Sequence, residues 1–499
     1  MFNHFLSEIA ELSDSRKQAI LTAKDNYSAK GTKYYVSADG CDSNDGLSPQ
    51  SAWKTLQKVS AMASSLQPGD AVLFRRGDVF RGNVAVASGV TYAAYGNGEK
   101  PRIYGGSKNL SDPALWTEID AENHIWQLNE EILDIGTLVF NDGQYHAYKH
   151  IPSYINGQFV CRDEISKPFI VSNELKNDLD LFWHYDKQTT TAPSKGQDFP
   201  IPDVTADSFG TLYLRCNKGN PGEVFESIEP VVRRHGFLVL KNHDVHIDNI
   251  CIRYFAQHGV CASGHAKNLH VSNCEIGWIG GSIQNYKGID PNYPEGPRGS
   301  VTRYGNGIEV YGGCENYLVE NCYIYQCYDA GVTHQVTTNG KFFKHENVTY
   351  RNNLIDNCVY SIEYFLDKTD GDTESYMQGV EISGNILQRS GYGWGQQRHN
   401  KHTPAHIKGW SYINTASDYK IVGNVFDRSA FRLLHLVAQK EERLPQMQDN
   451  IYIQNMGGMI GQYGFNAVKE PDIVYVDENF ENTVKTVFKD KTAKTFICD

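Results

Sequence analysis

Apolar and polar residues alternate with a period of two in short segments of the second half of the chain. Examples are Val245-His246-Ile247-Asp248 and Val380-Glu381-Ile382-Ser383. Alternation of this kind predicts strands with one buried face. Asparagines recur next to or inside such segments, at Asn249, Asn273, Asn321, Asn353, Asn385 and Asn424.

The spacing of these asparagines predicts a repeating architecture. The intervals are 24, 48, 32, 32 and 39 residues. An interval of 24 residues fits one coil of a three-sided solenoid, and 48 fits two coils or one coil with a long insertion. The pattern therefore predicts an all-β fold, a parallel β-helix, in which the asparagines stack from coil to coil as a ladder of hydrogen-bonded amides.

Breaks in the pattern divide the chain. Residues 2–24 have the apolar spacing of an amphipathic helix, which we expect to cap the solenoid. Residues 280–304 are rich in Gly and Pro and form a candidate substrate-binding loop. The predicted segments are a helical cap (1–32), first coils (33–106), an inserted β-rich module that walls the cleft (107–230), central coils with the catalytic face (231–440), and C-terminal coils with a cap (441–499).

Two glutamates occupy the same place in the repeat. Gly307-Ile308-Glu309, Gly331-Val332-Thr333 and Ser361-Ile362-Glu363 correspond to one another. Neighbouring strands lie about 4.8 Å apart, so two coils of separation put the glutamate backbones roughly 9–10 Å apart on one face. Side-chain tilt brings this into the range of about 5–9.5 Å used by paired carboxylates in glycoside cleavage.

Asp329 precedes the middle strand, within reach of both glutamates. We therefore predict Asp329, Glu309 and Glu363 as catalytic residues, with the assignment of acid, base and nucleophile left open. A carboxylate at Asp329, crowded by two others, is expected to have a raised proton affinity, which is how one carboxyl group of a pair stays protonated as a general acid. The alternative is that the glutamates are solvated and Asp329 is a turn residue.

Aromatic and polar side chains near these acids predict a sugar-binding surface. Tyr311, Gln335 and Phe365 form a second outward row beside the glutamates. His334 is expected to orient a hydroxyl group, to act as a base, or to be structural. Trp394, flanked by glycines, is either a sugar-stacking platform or a packed edge residue. The predicted substrate-binding residues are His334, Gln335, Tyr311, Tyr328, Tyr364, Trp394, Arg398, His399 and Trp410.

Composition narrows the class of substrate. The 499-residue chain has a formal net charge of −12 and no long basic run, which argues against nucleic acids and acidic membranes as partners. The same charge weighs against a strongly polyanionic substrate. With 30 Tyr and 22 Phe, the composition suits strands and an aromatic-lined carbohydrate surface. We expect a neutral or weakly charged oligosaccharide or polysaccharide.

No metal or cofactor is expected. The eleven cysteines are scattered and are interpreted as small buried residues of a reduced protein. The acidic loop 39–46 is similar to a calcium loop but has Gln50 where the bidentate Glu belongs. His399, His402 and His406 suggest a metal only weakly, since carboxylate chemistry needs none. The N-terminus lacks a leader pattern, which predicts a cytoplasmic protein, or a secreted one whose leader was removed.

Several stretches resemble bacterial right-handed parallel β-helix proteins of the pectate-lyase-like superfamily. They are Tyr35-Val36-Ser37, Ala52-Trp53-Lys54-Thr55-Leu56, Leu73-Phe74-Arg75-Arg76-Gly77-Asp78, Gly210-Thr211-Leu212-Tyr213-Leu214, Gly219-Asn220-Pro221, Asn306-Gly307-Ile308-Glu309 and Tyr328-Asp329-Ala330-Gly331. The resemblance implies a right-handed parallel β-helix and a carbohydrate-active enzyme. It does not fix the reaction, because this architecture hosts glycosidases, lyases and epimerases.

The resemblance also bears on the choice of reaction. Lyases of the superfamily typically use calcium and an Arg or Lys base, whereas the row here offers Glu309, Thr333 and Glu363 without a matching outward Arg or Lys. The leading hypothesis is a glycoside hydrolase. The alternatives are a polysaccharide lyase acting by β-elimination and a non-catalytic glycan-binding solenoid.

Overall fold

The computed structural model describes residues 2–25, 27–155, 157–187, 202, 204–286, 301–398, 403–410, 416–438, 440–465 and 471–498. Three long sheets, named A, B and C here, wind around one apolar core. Each complete coil contributes a strand to sheet A, then to sheet B, then to sheet C, and pairing between coils is parallel. The predicted parallel β-helix is confirmed.

The strands of the three sheets have the following bounds. Sheet A contains Lys33–Val36, Ala71–Arg75, Thr91–Tyr95, His243–Asp248, Ala266–Ser272, Cys314–Glu320, Lys344–Arg351, Tyr376–Ser383, Ser417–Val422 and Gln446–Gln448. Sheet B contains Val79–Arg81, Arg102–Tyr104, Ile135–Phe140, Tyr145–His146, Ile228–Val232, Cys251–Phe255, Glu275–Ile279, Tyr323–Cys327, Leu354–Asp356, Ile386–Ser390, Val425–Ser429, Ile451–Asn455 and Lys494–Cys498. Sheet C contains Val84–Ala85, Phe237–Leu238, Val260–Ser263, Ile308–Tyr311, Ala330–Thr337, Tyr360–Asp367, Ala405–Gly409, Arg432–Ala438, Met459–Phe465 and Val474–Tyr475.

The chain leaves the coil after Arg102–Tyr104, and that strand pairs directly with Cys251–Phe255, about 150 residues later. Much of the intervening chain forms two small sheets with a separate apolar core. One contains Trp116–Asp120, Ile125–Leu128, Ile132–Leu133, Tyr148–Lys149, Asp180–His184 and Phe209–Arg215, and the other Ser153–Ile155, Gln158–Cys161 and Glu164–Pro168. A hairpin of Ser282–Tyr286 and Val301–Tyr304 packs on the same core.

Five α-helices occur in the described residues: three pack on the solenoid, and the two within residues 107–230 pack on the cores of the small sheets. They are α1 (Phe2–Leu21), α2 (Leu56–Met62), α3 (Val171–Glu174), α4 (Pro221–Val224) and α5 (Phe480–Thr486). The predicted N-terminal helix is α1, and its Ile9 and Ile20 pack on the outer face of sheet B. Phe480 and Val484 of α5 reach the core inside the coils. In the part of the chain that the structure describes, no helix is both long and apolar enough to cross a membrane.

The asparagine ladder occupies only some of the predicted positions. Asn353, Asn385, Asn424 and Asn450 form a continuous ladder, with Nδ2 of each donating to Oδ1 of the next at 2.9–3.0 Å. Asn450 then donates to Asp490 at 2.8 Å.

The other three predicted members belong to a neighbouring row. Asn249, Asn273 and Asn321 directly follow their sheet A strands and have φ values of 63°, 51° and 51°, a left-handed conformation that asparagine tolerates. The ladder lies one position further along, where Cys274 and Cys322 occupy these coils. Including Asn249, Asn273 and Asn321 in the ladder was therefore wrong. Asparagines occupy two adjacent rows at this corner, one of left-handed turn positions and one of stacked amides.

Replacing Asn385 by Leu is expected to lower the free energy of unfolding by about 3 kcal/mol. The Asn385 amide bonds Asn353, Asn424 and the carbonyl oxygen of Tyr350, and a buried Leu would leave these groups without partners. Urea unfolding measures the change. Asn482→Leu, an exposed substitution on α5, is the control and should cost less than about 0.5 kcal/mol. Equal costs for the two variants would contradict a stabilising ladder.

Candidate active site

The outward face of sheet C carries the two predicted glutamates in one row. Glu309 lies opposite Thr333, between the paired positions Ile308–Val332 and Tyr311–Gln335, and Thr333 pairs with Glu363. The neighbouring residues Ile308, Val332 and Ile362 point into the core. Because side chains alternate along a strand, the two carboxyl groups face away from the core, two coils apart.

The row continues beyond Glu363 with basic and polar side chains. Glu363 pairs with Lys408, Lys408 with His435, and His435 with Gln462. The Lys408 Nζ and His435 Nδ1 atoms are 3.0 Å apart. The expectation that the row has no outward Arg or Lys is therefore wrong. The expectation rested on the coils of Glu309, Thr333 and Glu363, whereas Lys408 lies in the following coil.

Glu309 is held by two donors from its own sheet. Thr333 Oγ1 donates to Glu309 Oε2 at 2.9 Å, and Asn306 Nδ2 donates to the same oxygen. The Glu309 side chain is 7% exposed. Burial raises the pKa of Glu309 above its ordinary value, while the hydrogen bonds from Asn306 and Thr333 act in the opposite direction. Glu309 is thus a fixed carboxyl group at one side of the row.

The surroundings of Glu363 favour the protonated form of its carboxyl group. Gln335 Nε2 donates to Glu363 Oε2 at 2.7 Å, and Trp410 Nε1 donates to Oε1. Burial raises the pKa of Glu363 to about 8, with a further contribution from the negative charge of Asp329. Arg398 and the Trp410 hydrogen bond oppose this rise. At neutral pH, these surroundings therefore favour the protonated form of Glu363.

Asp329 lies at the turn between sheets B and C, where two other segments converge. Its backbone carbonyl accepts from Tyr360 N at 3.1 Å, which places it next to the strand of Glu363. Arg398 Nη1 donates to Asp329 Oδ1. A guanidinium group stabilises the carboxylate form. The sequence suggested a raised proton affinity for Asp329 but did not anticipate Arg398 beside it. Burial raises the pKa of both Glu309 and Glu363.

Two predicted substrate-binding residues point into the core. The alternation that turns Thr333 and Glu363 outward turns His334 and Tyr364 inward. His334 Nδ1 lies 2.8 Å from Tyr350 Oη, and its ring stacks on Tyr364 at 5.4 Å. Both side chains are fully buried. Their assignment to substrate binding was wrong, and the strand period alone would have excluded it.

Two aromatic residues near the turn are packed. Trp394 is 2% exposed, donates from Nε1 to the Gln326 carbonyl oxygen at 2.7 Å, and contacts Tyr328. Tyr328 is 1% exposed and has the Arg303 guanidinium over its ring. Neither offers a ring to a sugar in this structure. Trp394 is the packed residue of the two alternatives and not a sugar-stacking platform, because its indole lies against Gly136 and Gly281, where a Cβ atom would be 3.1 and 2.4 Å from the ring.

The other predicted residues lie along the row or beyond it. Gln335 and Trp410 bond Glu363, and Arg398 bonds Asp329. Tyr311 is exposed, and its ring meets Phe365 edge to face at 6.4 Å. His399 lies outside the described residues.

Asn306 and two histidines extend the site and were missed. Asn306 donates to Glu309, accepts from Ala330 N at 2.7 Å, and donates from its backbone to His258 Nδ1 at 3.0 Å. His258 stacks on His235, and burial lowers the pKa of both to about 3. Asn306, His258 and His235 each precede a glycine and an apolar residue, so this repeated motif could have identified them from the sequence.

Glycines in that motif allow the coils to approach closely. A Cβ atom on Gly307 would lie 2.5 Å from the Gly331 carbonyl oxygen, and one on Gly259 would lie 2.6 Å from the Gly307 carbonyl oxygen. A methyl group at Gly307 would displace the strand that carries Glu309. The glycine row therefore fixes the spacing of the candidate site. Among the described residues, no group of three His, Cys, Asp or Glu side chains is placed to hold a metal ion.

Known proteins provide limited matches. No family model matches the chain. Over 83 residues the chain is 40% identical to a lacto-N-biosidase of Bifidobacterium longum subsp. longum, and this match spans 14% of this chain and 5% of that relative.

Solved structures with low similarity include three carbohydrate-related proteins. One is XylC in complex with xylose, with a TM-score of 0.39 and 12% identity over 89% of this chain and 73% of that one. Another is the GH136 lacto-N-biosidase from Eubacterium ramulus, with a TM-score of 0.33 and 12% identity over 98% and 70% of the two chains. A third is pectate lyase Pel9A, with a TM-score of 0.39 and 11% identity over 88% and 73%. At this level, none of them assigns a reaction to this chain, and the fold rests on its own strand pairing.

Proposed function

We propose that this protein is a glycoside hydrolase that cleaves a neutral or weakly charged oligosaccharide or polysaccharide. The observation that carries the proposal is the contrast between two neighbouring acids. Glu363 has a pKa of about 8, whereas Asp329 is paired with Arg398. Two carboxyl groups with environments that favour opposite protonation states are the requirement of glycosidic cleavage.

In this proposal Glu363 is the general acid. Its proton passes to the glycosidic oxygen as the bond from that oxygen to the anomeric carbon breaks. Gln335 and Trp410 orient the carboxyl group through their hydrogen bonds. The proton leaves Glu363 as the leaving group departs, and the Arg398 charge nearby stabilises the resulting anion.

Asp329 is the second carboxylate, acting as a nucleophile or as the base that activates water. Its negative charge also stabilises positive charge that develops at the anomeric carbon. If Asp329 is the nucleophile, its bond to the anomeric carbon is cleaved by water, and Glu363 takes the proton of that water. If Asp329 is the base, it takes the proton of the attacking water, and exchange with solvent then reprotonates Glu363. Glu309 is assigned a supporting role, because the negative charge of Asp329 raises the Glu363 pKa more than the charge of Glu309 does.

Hydrolysis of a panel of 4-nitrophenyl glycosides tests the proposal. Wild type is expected to hydrolyse at least one member, and Asp329→Asn and Glu363→Gln are expected to reduce that rate roughly 10³-fold or more. Gln448→Glu, at an exposed position of sheet A, is the control and should keep the wild-type rate. Normal rates in both active-site variants would overturn the assignment.

Replacing Trp410 by Phe is expected to move the alkaline limb of the activity profile upward by about one pH unit. The indole N–H stabilises the anionic form of Glu363, so losing it raises the Glu363 pKa above about 8. The pH dependence of kcat/KM measures this shift. Trp183→Phe, which removes an indole hydrogen bond in the inserted module, should leave the limb in place. A downward shift for Trp410→Phe would contradict the proposed contact.

A polysaccharide lyase is the second candidate, favoured by one observation. Lys408 pairs with Glu363 on the outward row and supplies a basic side chain next to the acids. A lyase would abstract a proton beside a uronate carboxyl group and release an unsaturated sugar. Product from a uronate polymer that absorbs in the near ultraviolet, lost in Lys408→Met, would favour the lyase. A saturated product would favour the hydrolase. Binding without turnover, unchanged in Glu363→Gln, would favour a glycan-binding solenoid.

A further inference from the structure

A cavity of about 730 Å³ lies on the outer face of sheet B, away from the acids of sheet C. Its walls come from α1, from the first coils, and from sheet B strands near Arg253 and Tyr325. The volume is in the range of small-molecule sites. None of the catalytic residues proposed above lines it.

The lining combines charges of both signs with tyrosine side chains. Its charged residues are Lys17, Arg76, Lys100, Arg102 and Arg253, with Glu99, Asp142 and Glu275. Some of these charges are paired internally. Arg253 bonds Asp142 at 2.6 Å and also bonds Glu275. Arg76 is paired with Asp25 at 2.5 Å. These pairs leave an excess of positive charge.

Lys100 is a buried cation at the cavity whose amine bonds a neutral amide rather than a carboxylate. Its side chain is 3% exposed, and Nζ donates to the Asn249 amide oxygen. No carboxylate of the described residues lies within ion-pair distance of it. Burial lowers the pKa of Lys100, as expected for an ammonium group removed from water. An ammonium group has three donors, so an incoming acceptor has donors available.

Two further cations at the cavity lack a complete set of partners. Arg102 pairs with Glu99 at 3.5 Å and is 33% exposed, but its Nε atom is buried and has no hydrogen-bond partner among the described residues. Lys17 lies over the Tyr323 ring at 4.9 Å and makes no ion pair in the part of the chain that the structure describes. A buried cation without an ion-pair partner is costly, and an anionic ligand group that contacts Lys100 would offset that cost.

We propose that this cavity binds an acidic sugar, whose carboxylate or sulfate group contacts Lys100 and Arg102. The carboxylates of Asp142 and Glu275 repel any anion, but they accept hydrogen bonds from sugar hydroxyl groups, which a simple inorganic anion does not offer. The tyrosine hydroxyl groups add donors and acceptors. The mixed lining therefore fits a ligand with several hydroxyl groups and one negative charge. This site is separate from the proposed catalytic site.

Isothermal titration calorimetry tests the proposal with D-glucuronate, D-glucose 6-sulfate, D-glucose and sodium sulfate. At least one acidic sugar should bind wild type tenfold or more tightly than glucose and sulfate do. Comparing D-glucuronate with D-glucose 6-sulfate shows whether a carboxylate or a sulfate group is preferred. Lys100→Met and Arg102→Met should each weaken that binding at least tenfold. Lys420→Met, an exposed substitution on sheet A, should change it less than twofold.

One variant at each site distinguishes the sheet B cavity from the proposed catalytic site on sheet C. Trp410→Ala alters the sheet C face and should keep the acidic-sugar affinity. Lys100→Met should keep the wild-type rate on any glycoside that the protein hydrolyses. Absence of binding by both acidic sugars, equal binding of glucose or sulfate, or unchanged binding in both Lys100→Met and Arg102→Met would overturn the proposal. Binding without any glycosidase activity would overturn only the proposed function.

Discussion

Glu363→Gln is expected to lose roughly 10³-fold or more of wild-type kcat/KM on glycosides with poor leaving groups. Glutamine keeps the shape of the side chain and can still contact Gln335 and Trp410, but it has no proton to give. The loss should be much smaller on 2,4-dinitrophenyl glycosides, because that leaving group departs without protonation. Comparing the two substrate classes in one variant identifies the general acid.

The pH profile of the wild type provides a second test of Glu363. A general acid must be protonated, so kcat/KM should fall as pH rises through about 8, the Glu363 pKa. The residual activity of Glu363→Gln should lack this limb. A limb that survives in the variant would show that another group is responsible for it.

The same pKa predicts a change in stability with pH. The folded-state pKa of Glu363, about 8, exceeds the ordinary value of 4.5, so the folded state binds more protons between these values. Glu363 therefore contributes stability that is fully present below pH 4.5 and is lost as pH rises through about 8. Urea unfolding of Glu363→Gln should lack this part of the pH dependence.

Asp329→Asn is expected to lose roughly 10³-fold or more on both classes of leaving group, because the second carboxylate is needed however the leaving group departs. Without the Asp329 charge, the Glu363 pKa should also fall, since that charge is one cause of its rise. Steady-state kinetics on nitrophenyl and dinitrophenyl substrates measures the first effect.

A matched substitution controls for loss of structure around Asp329. Asp356→Asn removes a carboxylate on sheet B that also pairs with an arginine, Arg389, at 2.6 Å. It should leave the rates within about threefold of wild type. Recovery of the Asp329→Asn rate with an activated leaving group would contradict the assignment and would make Asp329 the acid.

The strand pattern contained enough information to predict the β-helix and the row of Glu309, Thr333 and Glu363. These features follow from a period of two and from coil spacing, both of which are local properties. The same period, applied to His334 and Tyr364, would have placed them in the core. The rings of His334 and Tyr364 suggested substrate binding, but the strand geometry turns both side chains inward.

Other features depend on long-range contacts that no local pattern specifies. Arg398 reaches Asp329 from 69 residues away, and Trp410 reaches Glu363 from 47 residues away. Lys408 follows Glu363 in the row by 45 residues, whereas the two preceding intervals are 24 and 30, so the repeat in the sequence does not reveal it. The protonation of Glu363 follows from burial, which the sequence does not display.

The most direct test of the account is a titration of the Glu363 carboxyl group by ¹³C NMR, with glutamate labelled at Cδ and Glu363→Gln used to assign the resonance. We predict that the resonance absent from the variant titrates with a pKa near 8. A Glu363 titration near the ordinary value of 4.5 would contradict the account, because the residue would then be ionised at neutral pH and unable to act as the acid.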